Sequence, residues 1–243
     1  MIAKSGLVRR ILLFLFSHRT LALLRWDLHF LSIRLNNLIL QKDRRLLKNI
    51  ADGERPAFLN LGSGPRGLKD GNWINVDGYA DTNVQHLMDF ARSWPFPDNC
   101  FDGIFCEHVF EHFDFEQGQK VLRESLRVLQ PGRAIRIIVP DGEKILRSYC
   151  ENASELSAHR ETETGRAMEA VNSYFRQGYE HQFIYDSELL RHQLAAAGFD
   201  RITRVGFAKG NASSAIILDD ARYEWESLYI EAVKPLPDGG TRG

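Results

Sequence analysis

From Ala57 onward, short apolar runs alternate with amphipathic stretches, and this alternation restricts the chain to a small set of folds. Short apolar runs bounded by glycine-rich or polar turns are typical of strands, and amphipathic stretches between them are typical of crossover helices. The order predicts an α/β fold, a Rossmann-like, mostly parallel sheet flanked by helices. The four runs with the strongest strand pattern are residues 57–61, 73–76, 101–106 and 134–139.

Periodicity in the remaining sequence predicts further elements. They are a helix over residues 115–129, a helical insertion over residues 142–180, a helix over residues 186–197, and strands near residues 202–207 and 225–233. Pro131-Gly132 and Gly198 end the two helices, since both are usual helix stops. The insertion follows the fourth recognised strand, and we expect it to cap the substrate site. Residues 236–243 are predicted to be a disordered tail.

Residues 1–50 differ from the rest of the chain in charge. They carry ten Lys and Arg against two Asp, whereas the whole chain has a net charge of −1. Apolar residues recur at helical spacing from Leu21 to Leu47, which predicts a basic amphipathic helical appendage. Two roles stay open for it. It lies on a membrane surface, or it packs on protein, either its own catalytic domain or a twin subunit in a homodimer.

Composition also limits the classes of binding partner and the cellular compartment that we expect for this chain. The part after residue 50 is acidic and has no basic stripe, so a nucleic-acid partner is not expected. The N-terminal apolar run is far shorter than the ~20 residues of a membrane-spanning helix, and no cleavage site follows it. The three cysteines form no CxxC pair. We therefore expect a cytoplasmic protein that contacts a membrane only at its surface, if at all.

Glycine and an acidic residue mark the ends of the first two predicted strands. Gly62 and Gly64 follow the first strand, where they allow a sharp turn and close approach of a ligand to the backbone. Asp77 ends the second strand, and its two carboxylate oxygens can accept hydrogen bonds from both hydroxyls of a ribose. The pattern predicts a ribose-bearing cofactor at this edge of the sheet.

Several blocks in register resemble the class I S-adenosylmethionine-dependent methyltransferases, particularly their bacterial type 11 branch. The blocks are FLNLGSGPRG, WINVDGY, SWPFPDNCFDGIFCEHVFEHF and VLRESLRVLQPGRAIRIIVPD, within residues 58–141. The later stretch EHQFIYDSELLRHQLAAAGF looks like the region that usually follows the fifth strand in that branch. The resemblance implies a methyltransferase domain over residues 51–235, S-adenosylmethionine as the cofactor, and a small-molecule methyl acceptor.

The resemblance also implies which residues bind the cofactor. Methionine's carboxylate and amine would lie at the glycine turn, and Asp77 would hold the ribose. Asp89, beside Phe90, would accept a hydrogen bond from the adenine amine, although a turn or helix cap is the alternative role for this carboxylate. The full implied set is Asn60, Gly62, Ser63, Gly64, Asp77, Gly78, Asp89, Phe90 and Glu107.

The chain departs from the family pattern at two places. Asn60 stands where the family often has an acidic residue for the methionine amine, and its amide oxygen can accept the same bond. Only about a dozen residues separate Leu61 from Trp73, so the usual crossover helix is expected to be short or absent. Without a helix N-terminus to favour the cofactor's carboxylate, loop amides would have to replace it.

Three other functions compete for the same residues. GSGPRG also fits the GxGxxG motif of nicotinamide-dependent oxidoreductases, yet Asp77 follows Gly67 by ten residues, where that fingerprint needs roughly 20. His108 to His112 match H-x-x-E-H, the inverted zinc-peptidase signature, but in the wrong context, directly after an apolar strand. The third alternative is a catalytically inactive methyltransferase fold used as a scaffold, which the intact glycines and Asp77 argue against.

The catalytic candidates are histidines. Methyl transfer from a sulfonium mainly requires that the protein position the reactants and deprotonate or orient the acceptor, and His112 and His181 are the candidate bases. We expect O-methylation of a sugar or another small molecule, ahead of protein, lipid and RNA acceptors.

A divalent metal is a further option at the same place, because some methyltransferases acting on vicinal hydroxyls bind one at E-x-x-E-H. Here His108 replaces the first Glu, which would shift the preference towards Mn, Fe or Zn, with His181 completing the set. The favoured alternative has no metal, and Glu111 and His112 orient the substrate or cap the helix.

Overall fold

The computed structural model describes residues 14–51 and 57–237, in which helices and strands follow the predicted order. The elements are α1 (His18–Leu40), α2 (Lys42–Ala51), β1 (Phe58–Leu61), β2 (Trp73–Asp77), β3 (His86–Leu87), β4 (Phe101–Glu107), α3 (Phe115–Val128), β5 (Leu129–Pro140), α4 (Gly142–Glu151), α5 (Ala153–His159), α6 (Ala167–Arg176), α7 (Ser187–Ala197), β6 (Asp200–Val205) and β7 (Ser227–Val233). Most of the predicted tail, from residue 238, lies outside the described residues, as do residues 1–13.

The seven strands form one sheet in the order β3-β2-β1-β4-β5-β7-β6. The first five are parallel, and β7 lies antiparallel between β5 and β6. The predicted Rossmann-like, mostly parallel sheet is therefore confirmed. The antiparallel β7 separates this sheet from the 3-2-1-4-5-6 order of dinucleotide-binding folds. The strand order reverses between β1 and β4, and ligands of such sheets bind outside the carboxyl ends at this point.

One face of the sheet packs on α3 and α7. Leu61 and Ile104 from the strands meet Leu122 of α3 and Leu194 of α7, all fully buried. α3 begins at a capping box in which the Asp114 side chain and Gln117 exchange hydrogen bonds with each other's backbone. It ends at Val128, within one residue of the prediction, and the chain then enters β5. This face forms the main hydrophobic core.

The opposite face carries no crossover helix between β1 and β2. All residues between these strands are described, and they form only a 3-10 turn at Gly64–Arg66, so the predicted loss of the helix is confirmed. The connection between β6 and β7, residues 206–226, covers this face instead. Its Ile216 packs with Trp73, Phe105 and Tyr229 of the strands.

A buried ion-pair cluster holds this connection on the sheet. Arg136 of β5 is fully buried and pairs with Asp219 of the connection and with Glu231 of β7. Glu231 also accepts hydrogen bonds from the backbone amides of Asn211 and Ala212, at 2.7 and 2.9 Å. The connection is therefore fixed by charge as well as by apolar packing.

The insertion after β5 is helical, as predicted. α4, α5 and α6 share a small hydrophobic cluster of their own, centred on Ile145, Leu156 and Tyr174. The segment after α6 returns to the main domain, where Gln182 and Phe183 donate backbone hydrogen bonds to the carbonyl of Glu111. These bonds place the end of the insertion beside the loop that follows β4.

α1 packs across the carboxyl ends of β2 and β3. Ile33 is buried there, and Asn37 donates a 2.7 Å hydrogen bond to the carbonyl of Leu87. Across residues 14–51 and 57–237, no helix combines the length and the apolar character that crossing a bilayer requires.

Candidate active site

The loops after β1 and β4 touch at the glycine turn. Gly62 has a φ of +72°, and a Cβ on it would lie 2.1 Å from Val109 Cγ2. Both its conformation and its surroundings therefore require glycine. Gly64, two residues on, also has a positive φ, of +47°. The turn brings the ends of β1 and β4 together at the point where the strand order reverses.

Asp77 connects this turn to the loop after β2. Its Oδ2 accepts a 2.8 Å hydrogen bond from the Gly64 amide, and its Oδ1 accepts one of 2.8 Å from the Tyr79 amide. Each carboxylate oxygen can accept a second bond, so the half-buried side chain can still receive ligand hydroxyls. Asp77 is thus placed both to organise the loops and to meet a ribose.

Four of the implied cofactor residues line one cleft of about 380 Å³. They are Asn60, Gly62, Ser63 and Glu107. Ser63 Oγ is buried and has no hydrogen-bond partner among the described residues. Asn60 donates its Nδ2 to Asn75 Oδ1 at 3.1 Å, which leaves its own Oδ1 as the acceptor for a ligand. The cleft therefore offers one hydroxyl and one amide oxygen whose bonding is incomplete.

The loop amides expected to receive the cofactor's carboxylate are already bonded. The amides of Gly62 and Ser63 both donate to the carbonyl of Val76, and that of Gly64 donates to Asp77. The cation at the cleft is instead Arg66, at the end of the 3-10 turn.

Two carboxylates hold the Arg66 guanidinium in place. Its Nη1 lies 2.5 Å from Glu107 Oε2 and 2.8 Å from Asp220 Oδ2. Because both ion pairs use Nη1, the other guanidinium nitrogens remain to meet an anion, with no ion pair to the described residues. Arg66 thus joins the first loop to the 206–226 connection across the cleft.

The other implied residues lie under α1. His29 Nε2 is 2.8 Å from the carbonyl of Gly78, and the ring of Phe30 covers the same glycine. Asp89 pairs with Arg34 at 2.6 Å and also accepts a bond from the Ala91 amide.

Phe90 belongs to the core rather than to an open surface. Its ring is buried and packs edge-on against Trp94 and Phe113. Through its contacts with Arg34 and the Ala91 amide, Asp89 stabilises a turn and holds α1 on the domain. The predicted contacts of Asp89 and Phe90 with adenine stay predictions.

The two candidate bases come together beside the end of β4. The rings of His112 and His181 have centroids 5.0 Å apart, and both face Glu111. His108 lies on the other side of that carboxylate, with its Nδ1 3.2 Å from Glu111 Oε1 and its Nε2 2.9 Å from Ser227 Oγ. The structure thus unites His112 and His181, which lie far apart in the sequence, around one fully buried carboxylate.

The ionisable side chains of this group change one another's pKa values. Burial favours the neutral acid of Glu111, but the hydrogen bond from His108 and the nearby imidazoles outweigh it and lower the pKa of Glu111. Burial also opposes the charged form of His108, yet its bond to Glu111 leaves the pKa of His108 raised. For His181 burial dominates and lowers its pKa, so this imidazole is neutral near pH 7.

Sequence reasoning missed two residues that line the cleft, Arg66 and Asp220, and one that supports it, Asn75. Asn75 is fully buried, and its side-chain amide forms two hydrogen bonds with the Leu68 backbone, but a lone Asn in a strand gives no signal. Arg66 stands inside the quoted GSGPRG block and is its only cation, which was a usable signal. Asp220 lies more than 100 residues later, in a stretch without periodicity.

Comparisons with known proteins bear on this site. Residues 75–137 match the family model described as a methyltransferase domain. The ubiquinone/menaquinone biosynthesis C-methyltransferase UbiE of Serratia proteamaculans is 31% identical over 130 residues, covering 53% of this chain and 50% of that protein. The chain thus spans about half the length of this curated relative. Both matches agree with the resemblance to methyltransferases that the sequence blocks indicate.

Solved structures are similar at lower identity. A methyltransferase from Archaeoglobus fulgidus is 16% identical, with 82% of this chain and 94% of that chain covered and a TM-score of 0.44. A phosphoethanolamine N-methyltransferase of Haemonchus contortus, bound to S-adenosylhomocysteine, is 16% identical, with 78% and 52% covered and a TM-score of 0.44.

Proposed function

We propose that this chain, which carries a class I methyltransferase domain, transfers a methyl group from S-adenosylmethionine to a hydroxyl of a small molecule, with sugars as the expected class. The observation that carries the proposal is that residues from different parts of the sequence line a single cleft. Asn60 and Ser63 come from one sequence block and Glu107 from another more than 40 residues later, yet the three line one cleft at the strand-order reversal, where ligands of such sheets bind.

The hydrogen-bonding groups and charges of the cleft complement those of the cofactor. Asn60 Oδ1 would accept a hydrogen bond from the methionine amine, the Ser63 hydroxyl would donate to the carboxylate, Arg66 would pair with that carboxylate, and Asp77 would hold the ribose. The bound cofactor supplies a methyl group on an already activated sulfonium. The protein's task is then to exclude water, orient the acceptor and take up its proton.

The acceptor side is polar, which supports a hydroxylated acceptor. His112 and His181 each turn Nδ1 towards a backbone carbonyl, at 3.2 and 2.6 Å, so that Nε2 carries the free lone pair. His112 is half-buried and His181 is buried, so His112 is the more accessible base. We propose that His112 takes the hydroxyl proton and that Glu111 stabilises the resulting imidazolium.

A second candidate is C-methylation of an activated aromatic carbon. It is supported by the name of the Serratia relative, a C-methyltransferase of quinone biosynthesis. The same histidines would then deprotonate a ring hydroxyl next to the accepting carbon. The two candidates differ in which atom carries the new methyl group.

The test combines binding with product analysis. We expect the purified chain to bind S-adenosylhomocysteine in calorimetry and to transfer ¹³C-labelled methyl groups from S-adenosylmethionine into a small-molecule extract. The carbon shift of the labelled methyl in NMR identifies an oxygen or a carbon as the acceptor atom. Absence of S-adenosylhomocysteine binding by a folded chain would overturn the proposed activity and favour the scaffold alternative.

A further inference from the structure

We propose that Glu111, His112 and His181 form a binding site for a divalent cation, with zinc as the ion that suits the donors best. One ligand atom from each residue lies within 4.8 Å of the other two. Metal binding can be measured without turnover, so its test does not depend on methyl transfer. An ion bound to His112 Nε2 would occupy the lone pair of that imidazole and would replace it as the group that promotes loss of the acceptor proton.

Both imidazoles already have the orientation of metal ligands. His181 Nδ1 lies 2.6 Å from the carbonyl of Tyr174, and His112 Nδ1 lies 3.2 Å from the carbonyl of Glu180. A carbonyl only accepts, so each Nδ1 carries the hydrogen and each Nε2 presents a lone pair. Metal-ligating histidines are typically fixed in this way, with the second ring nitrogen bonded to a carbonyl or carboxylate.

Glu111 supplies an oxygen whose bonding is incomplete. The side chain is fully buried, and its Oε2 has no hydrogen-bond partner in the described part of the chain. A buried charged oxygen without a partner destabilises the fold, and a cation would satisfy it. Oε1, the oxygen that His108 also contacts, lies 3.9 Å from His181 Nε2, whereas two ligands of one tetrahedral zinc lie ~3.4 Å apart for metal bonds near 2.0–2.1 Å. The three ligand atoms lie within 4.8 Å of one another, so closing the site requires side-chain shifts of up to about 1.4 Å.

His108 lies outside this ligand set, although the sequence motif includes it. Both of its ring nitrogens are engaged, one by Glu111 and the other by Ser227. His108 is therefore a positioning residue that orients the Glu111 carboxylate, in the manner of the outer partners that metal sites use.

The donor set selects the ion. Two imidazoles and one carboxylate suit zinc or another first-row dication, whereas magnesium prefers oxygen ligands and keeps most of its water. Three protein ligands also leave a coordination position open, as in catalytic zinc sites. A hydroxyl bound there would lose its proton more readily.

The experiment titrates metal-free protein with zinc chloride and, separately, with magnesium chloride in calorimetry. We expect one zinc per chain and no response to magnesium. Glu111→Gln and His181→Ala should weaken zinc binding at least tenfold, while His192→Ala, which removes an exposed imidazole of α7, should not. S-adenosylhomocysteine binding, measured on every variant, reports on folding. His112→Ala, at a half-buried position, gives a second test if a buried variant fails to fold. Zinc affinity that is absent from the parent, or unchanged in the folded ligand variants, would overturn the site.

A separate observation concerns the outer face of α1. Leu24, Leu28, Leu31, Leu35 and Leu38, here called the leucine stripe, are each between 41% and 74% exposed. They are spaced by four, three, four and three residues, the heptad spacing of a two-stranded coiled coil. The face of α1 that packs on the domain uses Phe30, Ile33 and Asn37 instead.

We infer that the leucine stripe pairs with the leucine stripe of a second copy of this chain. Apolar residues that keep one heptad spacing along a helix can pack against the same residues of an identical second helix. A helix lying on a membrane carries Lys and Arg beside its apolar face, yet the basic residues of α1 are only Arg19, Arg25 and Arg34, and Arg34 is paired with Asp89. Pairing would remove the exposed leucines from water, which favours association.

Sedimentation velocity of the full chain tests this pairing. We expect a dimer that becomes a monomer in Leu28→Glu/Leu35→Glu, while Leu146→Glu, at an exposed leucine of α4, leaves the mass unchanged. A monomeric parent, or a dimer that survives in the double variant, would overturn it. Binding of the parent to anionic phosphatidylserine vesicles that only the stripe variant loses, without a change in mass, would assign the stripe to a membrane instead.

Discussion

In the proposed function, the Arg66 side chain would replace the N-terminus of a missing crossover helix as the group that binds the cofactor's carboxylate. In parallel α/β sheets the N-terminus of the first crossover helix favours an anionic ligand, but this chain has only a 3-10 turn there. Glu107 and Asp220 hold the guanidinium at the cleft, so its position is fixed before a ligand arrives. The positive charge that a helix would have spread over several amides is concentrated on one residue.

This role predicts a selective loss of affinity. Arg66→Gln should weaken S-adenosylhomocysteine binding by about 1.5–3 kcal/mol, the range of a charged hydrogen bond. Binding of methylthioadenosine, which lacks the amino-acid part, should stay unchanged. Calorimetry with both ligands measures the difference, and Arg123→Gln, at an exposed position of α3, is the control. Equal loss for both ligands would mean that Arg66 only supports the loop.

Asp77 should show the opposite pattern, because both ligands contain the ribose. Asp77→Ala removes the ribose acceptor and also the carboxylate that holds the Gly64 and Tyr79 amides. We expect both affinities to fall by at least about 1.5 kcal/mol. Calorimetry on the folded variant checks this, and a loss confined to S-adenosylhomocysteine would remove Asp77 from the ribose site.

At the residue scale, the sequence predicted features that depend on neighbouring residues, and it did not predict contacts that depend on the fold. Gly62 was predictable because a turn after a buried strand needs a positive φ, which the structure has. His112 and His181 could be nominated singly, but their meeting depends on how the insertion returns to β4. The bonding of the loop amides to Val76 could not be foreseen, because it depends on strand register.

At the element scale, the 206–226 connection covers the sheet where the crossover helix between β1 and β2 is absent. It covers the face of the sheet opposite α3 and α7, and Asp219 pairs there with the buried Arg136. The short gap between the first two strands predicted the loss of the helix. Nothing in the sequence predicted its replacement, because an irregular segment has no periodicity and its hydrogen bonds to Arg136 span 70 residues or more. β3, with two residues, is too short to give a strand signal.

The buried cluster makes this connection a stability element. Asp219→Ala leaves Arg136 buried with one carboxylate instead of two, and we expect the free energy of unfolding to fall by about 3–5 kcal/mol. Urea denaturation measures the change. Glu151→Ala, which removes an exposed carboxylate, should cost at most about 0.5 kcal/mol. A loss as small as that for Asp219→Ala would show that apolar packing alone holds the connection.

At the scale of the whole molecule, α1 has two faces with separate tasks. Its inner face contacts Gly78 through His29 and Asp89 through Arg34, two residues that the resemblance assigns to the cofactor. Its outer face carries the leucine stripe. The division of the chain into a helical appendage and a methyltransferase domain stays a prediction, and these contacts give it a sharper form. The appendage should influence cofactor affinity through one face and oligomeric state through the other.

Two substitutions two residues apart separate these tasks. Ile33→Asp places a charge in the buried contact between α1 and the domain, so it should detach the helix and weaken S-adenosylhomocysteine binding several-fold, because Gly78 and Asp89 lose their partners. Leu31→Asp introduces the same carboxylate on the exposed stripe, where it should leave cofactor affinity unchanged and shift the sedimentation mass towards the monomer. Calorimetry and sedimentation on the same two preparations give the comparison. If Ile33→Asp binds the cofactor as the parent does, α1 is not part of the cofactor site. If Leu31→Asp weakens the affinity as much as Ile33→Asp, the two faces act together, and dimerisation itself is required to build the site.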